Sequence, residues 1–330
     1  MSIDWSPLLS IIESNERFVI SSHVRPDADA VGSGLGLAAA LEQLGKTVRI
    51  VNPSGMTPGI TFLDTEDKVT ALGEGTTAEQ VLDTDVHIIV DTSAWKQLER
   101  VGDLFKKTTA TKVVIDHHVS SDALGAIEFK DVTAAATGEL IFEIIEALGV
   151  GVPADAANAL YCAIATDTGW FRFPATTQRT MRIAGELIDF GAQPHVLYQL
   201  LYERHSLARM QFFGQVLNRL ELDADGRLAY LTVTSKDFKE TGALSSDTEE
   251  LVNECLRVQG VVASFIAIEQ SNKTVKMSFR SRLGINVAAV AEKLQGGGHK
   301  QAAGATFSGT LSEALATVLP LMRDLVAPLD

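Results

Sequence analysis

Only two cysteines, Cys162 and Cys255, occur in 330 residues. Both fall in apolar stretches with helical spacing, so buried free thiols are expected rather than a disulfide or a thiolate metal site. No run of about 18 apolar residues occurs, which leaves no candidate membrane-spanning helix. The opening MSIDWSPLL has no basic segment leading into an apolar one, so no secretory signal is expected and the chain reads as cytoplasmic. Positive charge is also scarce. Lys and Arg number 28 against 42 Asp and Glu, a net charge of −14. A protein that tracks long nucleic acid carries a basic stripe to displace phosphate counterions. The Lys106-Lys107 pair and scattered arginines build none, so a phosphorylated substrate would be short, held by bound cations and a few placed side chains.

What is present is an ordinary α/β composition, 46% apolar, in a chain long enough for two domains. Short β-branched runs at Arg17–His23, Thr47–Asn52, Val86–Asp91 and Lys112–Asp116 predict strands. Helices are expected over about Asp29–Leu44, Ala134–Leu148 and Ala154–Ala165, with Gly45 and Gly149 closing the first two. Strands interleaved with helices imply a doubly wound, mainly parallel sheet. From Met181 to Leu222 the pattern is helical and polar. Strand-like runs at Leu228–Thr234, Ala263–Glu269 and Val275–Arg280 follow, with helices near Thr248–Arg257, Asn286–Leu294 and Leu311–Val326. The expected organisation is a first domain over 1–185, a helical connector over 186–222 and a smaller mixed α/β domain over 223–330, with the active cleft between the domains.

Acids and histidines collect at predicted strand ends. His23 closes the first strand and leads into Val24-Arg25-Pro26-Asp27-Ala28-Asp29. Asp91 closes the third strand candidate, Asp116-His117-His118 the fourth, and Asp167 ends the third helix. Ligands of doubly wound folds bind outside the carboxyl ends of the strands, so these segments converge. Each alone has a plainer explanation: Pro-Asp is common turn chemistry, Asp29 could cap a helix, and Asp167 could be a surface acid. Their agreement on one edge outweighs those explanations. Four carboxylates brought together need cations to offset their repulsion. Two imidazoles make the donor set mixed N/O, which suits Mn²⁺ better than Mg²⁺. Six ligands suffice for two metals sharing a carboxylate, and Asp91 is the natural bridge.

Gly32, Gly34 and Gly36 follow a strand, yet a dinucleotide fingerprint counted from Gly32 would need a glycine where Leu37 stands. Val51-Asn52-Pro53 also lacks the acid that should end the second strand. These glycines are expected to let the helix pack close to the sheet, and oxidoreductase chemistry is set aside.

The ordered motifs His23-x-x-Pro26-Asp27-x-Asp29 with Gly32-Ser33, Asp91, Asp116-His117-His118 and Asp167-Thr168-Gly169 resemble those of the DHH phosphoesterases. Ser278-Phe279-Arg280-Ser281 and Gly296-Gly297-Gly298-His299 resemble the DHH-associated C-terminal domain. The likeness spans nearly the whole chain. Within the family it is greatest to the stand-alone NrnA group, oligoribonucleases that degrade very short RNAs and often dephosphorylate 3′-phosphoadenosine 5′-phosphate (pAp). The resemblance implies that His23, Asp27, Asp29, Asp91, His117 and Asp167 hold two Mn²⁺ ions, with Asp91 shared and the division of Asp167 left open. It implies that His118 faces the scissile phosphate and that Asp116 orients a histidine. Arg280, Gly297, Gly298 and His299 would grip the other phosphate or nucleotide end. That last role has its own rationale: glycines let backbone N–H groups approach an anion, and arginine binds phosphate bidentately. The plainer alternative, Gly296 closing a helix, accounts for one glycine of the three.

Two positions depart from the family pattern: Arg25 stands where many relatives have asparagine, and Ala28 where they have glycine. The expected substrates are short RNA or DNA fragments or small nucleotides, with no long nucleic acid and no membrane, and the resemblance is compatible with a homodimer. Cyclic di-AMP or its linear product pApA is the alternative substrate, and a non-catalytic nucleotide-binding module the alternative of another class. Trp170 and Phe171, beside Asp167, could stack on a base or simply pack. His87, His195 and His205 have no predicted role.

Overall fold

A computed structural model describes residues 3–282 and 284–327. Two compact units divide the chain, Met1–Arg204 and His205–Asp330. In the first, α1 (Ser6–Ser14) precedes β1 (Arg17–Ser21), α2 (Ala28–Gln43) and β2 (Thr47–Asn52). Then come β3 (Val69–Leu72), β4 (Gly75–Thr76), α3 (Ala78–Leu82), β5 (Val86–Val90), α4 (Trp95–Lys107), β6 (Thr111–Asp116) and β7 (Ile127–Lys130). Four helices complete the unit: α5 (Thr137–Leu148), α6 (Ala154–Asp167), α7 (Gln178–Asp189) and α8 (Pro194–Tyr202).

The seven strands form one sheet in the order β4-β3-β2-β1-β5-β6-β7, parallel throughout. Alternate strand residues face opposite layers, as the pleat requires. Phe18, Ile20, Ile88, Val90 and Ile115 pack with Val31, Leu41, Phe142 and Leu160 of α2, α5 and α6. Val19 and Val51 meet Val81 of α3 and Val101 of α4, and Ile89 and Val114 meet Leu98 and Phe105 of α4. The sheet is therefore doubly wound, as expected. Its order reverses where β1 and β5 lie side by side, and a crevice at the carboxyl ends of those two strands is the usual ligand position.

The structure corrects the sequence reading at the edges. β3, β4 and β7 were not among the expected strands, so Asp91 follows the fifth strand rather than the third. Those three are short and only partly buried, so they lack a continuous apolar run. Helix α5 starts at Thr137 rather than Ala134, because the backbone before it serves the site described below.

The glycines of α2 are also corrected. A Cβ on Gly32 would lie 2.3 Å from the Ala159 carbonyl oxygen, and one on Gly36 would lie 2.6 Å from Leu160. Both belong to α6, so the close approach is helix to helix. Only Gly34 faces the sheet, and there a Cβ would sit at an ordinary 3.6 Å from Ile50.

The second unit runs α9 (Leu207–Leu217), β8 (Glu221–Asp223), β9 (Leu228–Val233), α10 (Ser235–Thr241), α11 (Leu251–Cys255), β10 (Ala263–Glu269) and β11 (Thr274–Ser281). It ends with α12 (Ala288–Lys293), β12 (Gly297–His299), β13 (Ala302–Ser308) and α13 (Leu311–Val326). Its six-stranded sheet has the order β12-β13-β11-β10-β9-β8. It is mixed: β9 and β10 are parallel, and the other pairs are antiparallel. Strand β13, AAGATFS, escaped the sequence reading because its small residues carry little strand propensity. The polar stretch expected as a connector is three helices, α7 and α8 in the first unit and α9 in the second.

The two glycine environments make a paired test. Gly32→Ala should lower the unfolding free energy by about 1–3 kcal/mol through overpacking. Gly34→Ala should raise it by roughly 0.5–1 kcal/mol, because alanine has the better helix propensity. Urea denaturation of both variants reads the difference, and equal effects would sink the helix-contact explanation.

Candidate metal centre

Every expected metal ligand lies at the carboxyl edge of the first sheet or at a helix end that meets it. Asp27 is the N-cap of α2, its Oδ1 accepting from the N–H of Asp29 at 3.0 Å and of Ala30 at 3.1 Å. So Asp27, not Asp29, caps the helix. Asp29 is buried in the first turn and seats its carboxylate on the start of α5. Oδ2 accepts from Thr137 N–H at 2.7 Å, and Oδ1 from Gly138 N–H at 2.9 Å and Ser33 Oγ at 3.2 Å. Exposed helix N–H groups favour a negative charge there. Asp91 follows β5 with φ +61°, and its N–H still pairs with the Ile115 carbonyl of β6. Aspartate tolerates this left-handed backbone better than most residues. Thr137 Oγ1 donates to Asp91 Oδ1 at 3.0 Å. Asp167 is the last residue of α6.

The two histidines are oriented alike. His23 Nδ1 is 3.0 Å from the Val24 carbonyl, and His117 Nδ1 is 3.2 Å from the Ala134 carbonyl. A carbonyl can only accept, so Nδ1 carries a proton in each ring, and Nε2 is the nitrogen that faces the carboxylates and would bind a cation. His23 Nε2 lies 3.7 Å from Asp27 Oδ1 and 3.5 Å from Asp91 Oδ2. His117 Nε2 lies 3.2 Å from Asp167 Oδ2, 3.6 Å from Asp91 Oδ1 and 3.7 Å from Asp29 Oδ2. Ligands on one ion at about 2.1 Å are separated by roughly 3.0–3.4 Å, so these spacings are close to those of a coordination shell. His117 Nε2 is buried and has no hydrogen-bond partner. A lone pair aimed at three carboxylates without a donor is what a cation would satisfy.

Two groups able to hold a metal result: His23, Asp27 and Asp91, and Asp29, His117 and Asp167. Asp91 turns Oδ2 toward the first group and Oδ1 toward the second. Asp167 stands on the His117 side, the point that sequence left open. A third grouping joins Asp91, His117 and His118. There, however, His118 Nδ1 is already committed at 2.8 Å to Asp116 Oδ1.

Asp116 is wholly buried and richly bonded. His118 N–H donates to Oδ1 at 3.1 Å, Lys130 Nζ lies 3.1 Å from Oδ2, and Ser93 Oγ also donates to Oδ2. Burial alone would raise this carboxyl, but the bonds from His118 and Ser93 hold it well below the usual carboxylate range. The bond to Asp116 in turn raises His118, outweighing its partial burial. Lys130, Ser93 and Thr137 were absent from the sequence reading. A lone serine or lysine gives no signal of such a role. Thr137-Gly138 lay inside the helix expected from Ala134, where nothing marked it as a helix start.

Without a cation the centre is electrostatically overloaded. Burial and the charge of Asp29 push Asp91 well above the carboxylate range. Burial and the charges of Asp29 and Asp27 take Asp167 up to about 8. Burial works against His23, yet its bonds to Asp27 and Asp91 raise it to about 10. Trp170 and Phe171 follow Asp167 with φ of +60° and +62°. Trp170 contacts Tyr161, Tyr198 and Tyr202 edge-on, so its ring serves local packing.

In the second unit, Arg280 of β11 and His299 of β12 both pair with Ala302 of β13, from opposite sides. Directly opposed residues of an antiparallel sheet share a face, so arginine and imidazole flank one methyl group. The glycines divide by role. A Cβ on Gly296 would lie 2.1 Å from the Gly304 carbonyl oxygen, and one on Gly298 would lie 2.5 Å from that of Ala302. Gly297 has open space. The helix itself closes on Gln295, with φ +60°, so Gly296 is not its left-handed cap.

Residues 17–164 match the DHH family, N-terminal domain, and residues 225–327 match the DHHA1 domain. A relative from Thermus thermophilus, named bifunctional oligoribonuclease and PAP phosphatase NrnA, is 33% identical over 311 residues, 92% of this chain and 89% of its own. The chain belongs to the DHH family. A Bacillus subtilis relative with the same name is 30% identical, covering 91% of this chain and 92% of its own. Among solved structures, an exopolyphosphatase-related protein from Bacteroides fragilis superposes with TM-score 0.88 at 25% identity, over 98% of this chain and 97% of its own. RecJ from Thermus thermophilus, solved with Mn²⁺, shares the fold with TM-score 0.53 at 15% identity, over 98% of this chain and 55% of its own. This DHH protein is thus a phosphoesterase, and no helix among its described residues is long and apolar enough to cross a membrane.

The raised groups set the pH response of the metal-free protein. Asp167 favours the fold while protonated, an advantage complete below its ordinary 3.8 and lost as pH rises through about 8. His23 adds a term complete below 6.5 and lost as pH rises through about 10. Asp27 and Asp116 are lowered and act only toward acid. Metal-free protein should therefore lose thermal stability from pH 5 to 9, and the upward shift in Tm on adding Mn²⁺ should grow over the same range. A flat metal-free profile would contradict this charge balance.

Proposed function

We propose that this DHH phosphoesterase uses two divalent ions, Mn²⁺ by preference, to cut oligonucleotides of a few residues into mononucleotides and to convert pAp to AMP. The observation that carries the reading is Asp91, with one carboxylate oxygen turned to each ligand group. In this reading His23, Asp27 and Asp91 hold one ion, and Asp29, His117 and Asp167 hold the other with Asp91 shared. The mixed N/O donor set without thiolate suits manganese. When bound, the ions lower the pKa of water and offset the charge that develops on phosphoryl oxygens.

The chain's own groups do the rest. Asp116, kept ionised by Ser93 and His118, holds the His118 Nδ1 proton. The raised His118 can then hydrogen-bond a phosphoryl oxygen or protonate the departing ribose oxygen. Arg280 and His299, flanking Ala302, take the far phosphate or nucleotide end, with Gly297 leaving room for close approach. The names of the Thermus and Bacillus relatives support both activities. The net charge of −14 argues against long polymers. Two buried, unpaired thiols agree with a cytoplasmic setting.

Hydrolysis of a dinucleotide, pApA, cyclic di-AMP and pAp, with Mn²⁺ and Mg²⁺ compared, tests the reading directly. Asp91→Asn should lower Mn²⁺-dependent turnover by about a hundredfold or more and weaken metal retention. Near-normal turnover in that variant would overturn the shared-ligand assignment. Arg280→Ala should lower kcat/KM for the dinucleotide by roughly tenfold or more, the loss of a charge-assisted contact, while Mn²⁺ content stays unchanged.

A further inference from the structure

Arg25 lies in the loop between His23 and Asp27, two residues from each. Its backbone is left-handed, φ +53°, and is pinned there: its N–H donates to Ser54 Oγ at 2.7 Å, and the preceding Val24 N–H donates to the Gln97 carbonyl at 2.8 Å. Glycine, asparagine and aspartate adopt that region with least strain, and arginine gains nothing from it locally. The side chain is exposed, and no carboxylate among the described residues pairs with it. That is unexpected in a chain of net charge −14, with Asp27 two residues away and 60% exposed. Arg172, five residues beyond Asp167, is different: its Nε donates at 2.6 Å to the Gly169 carbonyl of its own turn.

A charge count says what a free guanidinium does here. Under the reading above, the four carboxylates Asp27, Asp29, Asp91 and Asp167 balance two divalent ions. A phosphodiester at the centre adds one negative charge, whereas a terminal phosphate adds nearly two near neutral pH, since its second pKa is about 6. Arginine stays charged throughout that range and can bind two phosphoryl oxygens at once. An arginine side chain is long enough to reach the ligands two positions away on either side.

We propose that Arg25 is a specificity-determining residue that takes the extra charge of a terminal phosphate at the metal centre, favouring phosphomonoesters such as pAp over phosphodiesters. The inference rests on the two-metal reading for the place of the scissile phosphate, and its test can fail separately. A structural role would make replacement destabilising. A binding role held in a strained backbone predicts the reverse, with stability gained where recognition is lost.

The experiment compares Mn²⁺-loaded wild type, Arg25→Asn and Arg25→Lys. Inorganic phosphate binding is measured by calorimetry, kcat/KM is measured for pAp and for a dinucleotide, and Tm is recorded. Arg25→Asn should keep or raise Tm and bind phosphate about tenfold or more weakly, as expected for losing a charged contact. Its pAp-to-dinucleotide ratio of kcat/KM should fall by a similar factor, and Arg25→Lys should lie between. Unchanged phosphate affinity at full Mn²⁺ occupancy, or an unchanged ratio, would overturn the proposal. If wild type turns over neither substrate, the reading in the preceding section fails, and the phosphate comparison still decides Arg25.

Discussion

The site depends on how closely three helices approach one another. Gly32 of α2 leaves no room for a Cβ against the Ala159 carbonyl of α6, and a Cβ on Gly138 of α5 would sit 2.9 Å from that of Ala163 in α6. Side chains of ordinary size at those positions would hold the helices apart. The start of α2, the start of α5 and the end of α6 would then no longer meet. Because they do meet, Asp29 rests on the N–H groups of Thr137 and Gly138, and Asp167 comes within 3.2 Å of His117. Helix packing and ligand geometry are one arrangement.

That arrangement concentrates negative charge where a protein interior least tolerates it. Backbone and hydroxyl donors offset part of the load at Asp29 and Asp91, and a histidine faces each remaining carboxylate. Cations would offset the rest, so on the proposed two-metal reading the centre is stable in full only when loaded. Asp116 is the counter-example. It is equally buried, yet Ser93, Lys130 and His118 satisfy it, and it stays ionised without a metal. The two environments separate carboxylates suited to holding ions from one suited to holding a ring proton.

The central strands were legible because β1, β2, β5 and β6 are apolar, β-branched and bounded by turn residues. Strand ends at fixed places then made the acids and histidines legible as a set. The edge strands were not, since partial exposure breaks their hydrophobic run. Thr137, Ser93 and Lys130 were hidden for another reason: each acts through a contact distant in sequence, and nothing local distinguishes them. The α2 glycines were seen but given the wrong partner, because spacing along a helix names a face and not the element opposite. In the second unit, three glycines suggested a phosphate cradle. Two of them also admit the backbone of β13, and Gly297 has open space at its Cβ position.

The position of Asp167 bears on how the molecule comes into being. It is the final residue of α6, while its companions Asp29 and His117 belong to segments synthesised well before it. Domains generally fold from the N-terminal side as the chain emerges. A chain ending before α6 contains all three residues of the first ligand group but only two of the second. On the proposed two-metal reading, the second ligand group is therefore whole only once α6 has been made.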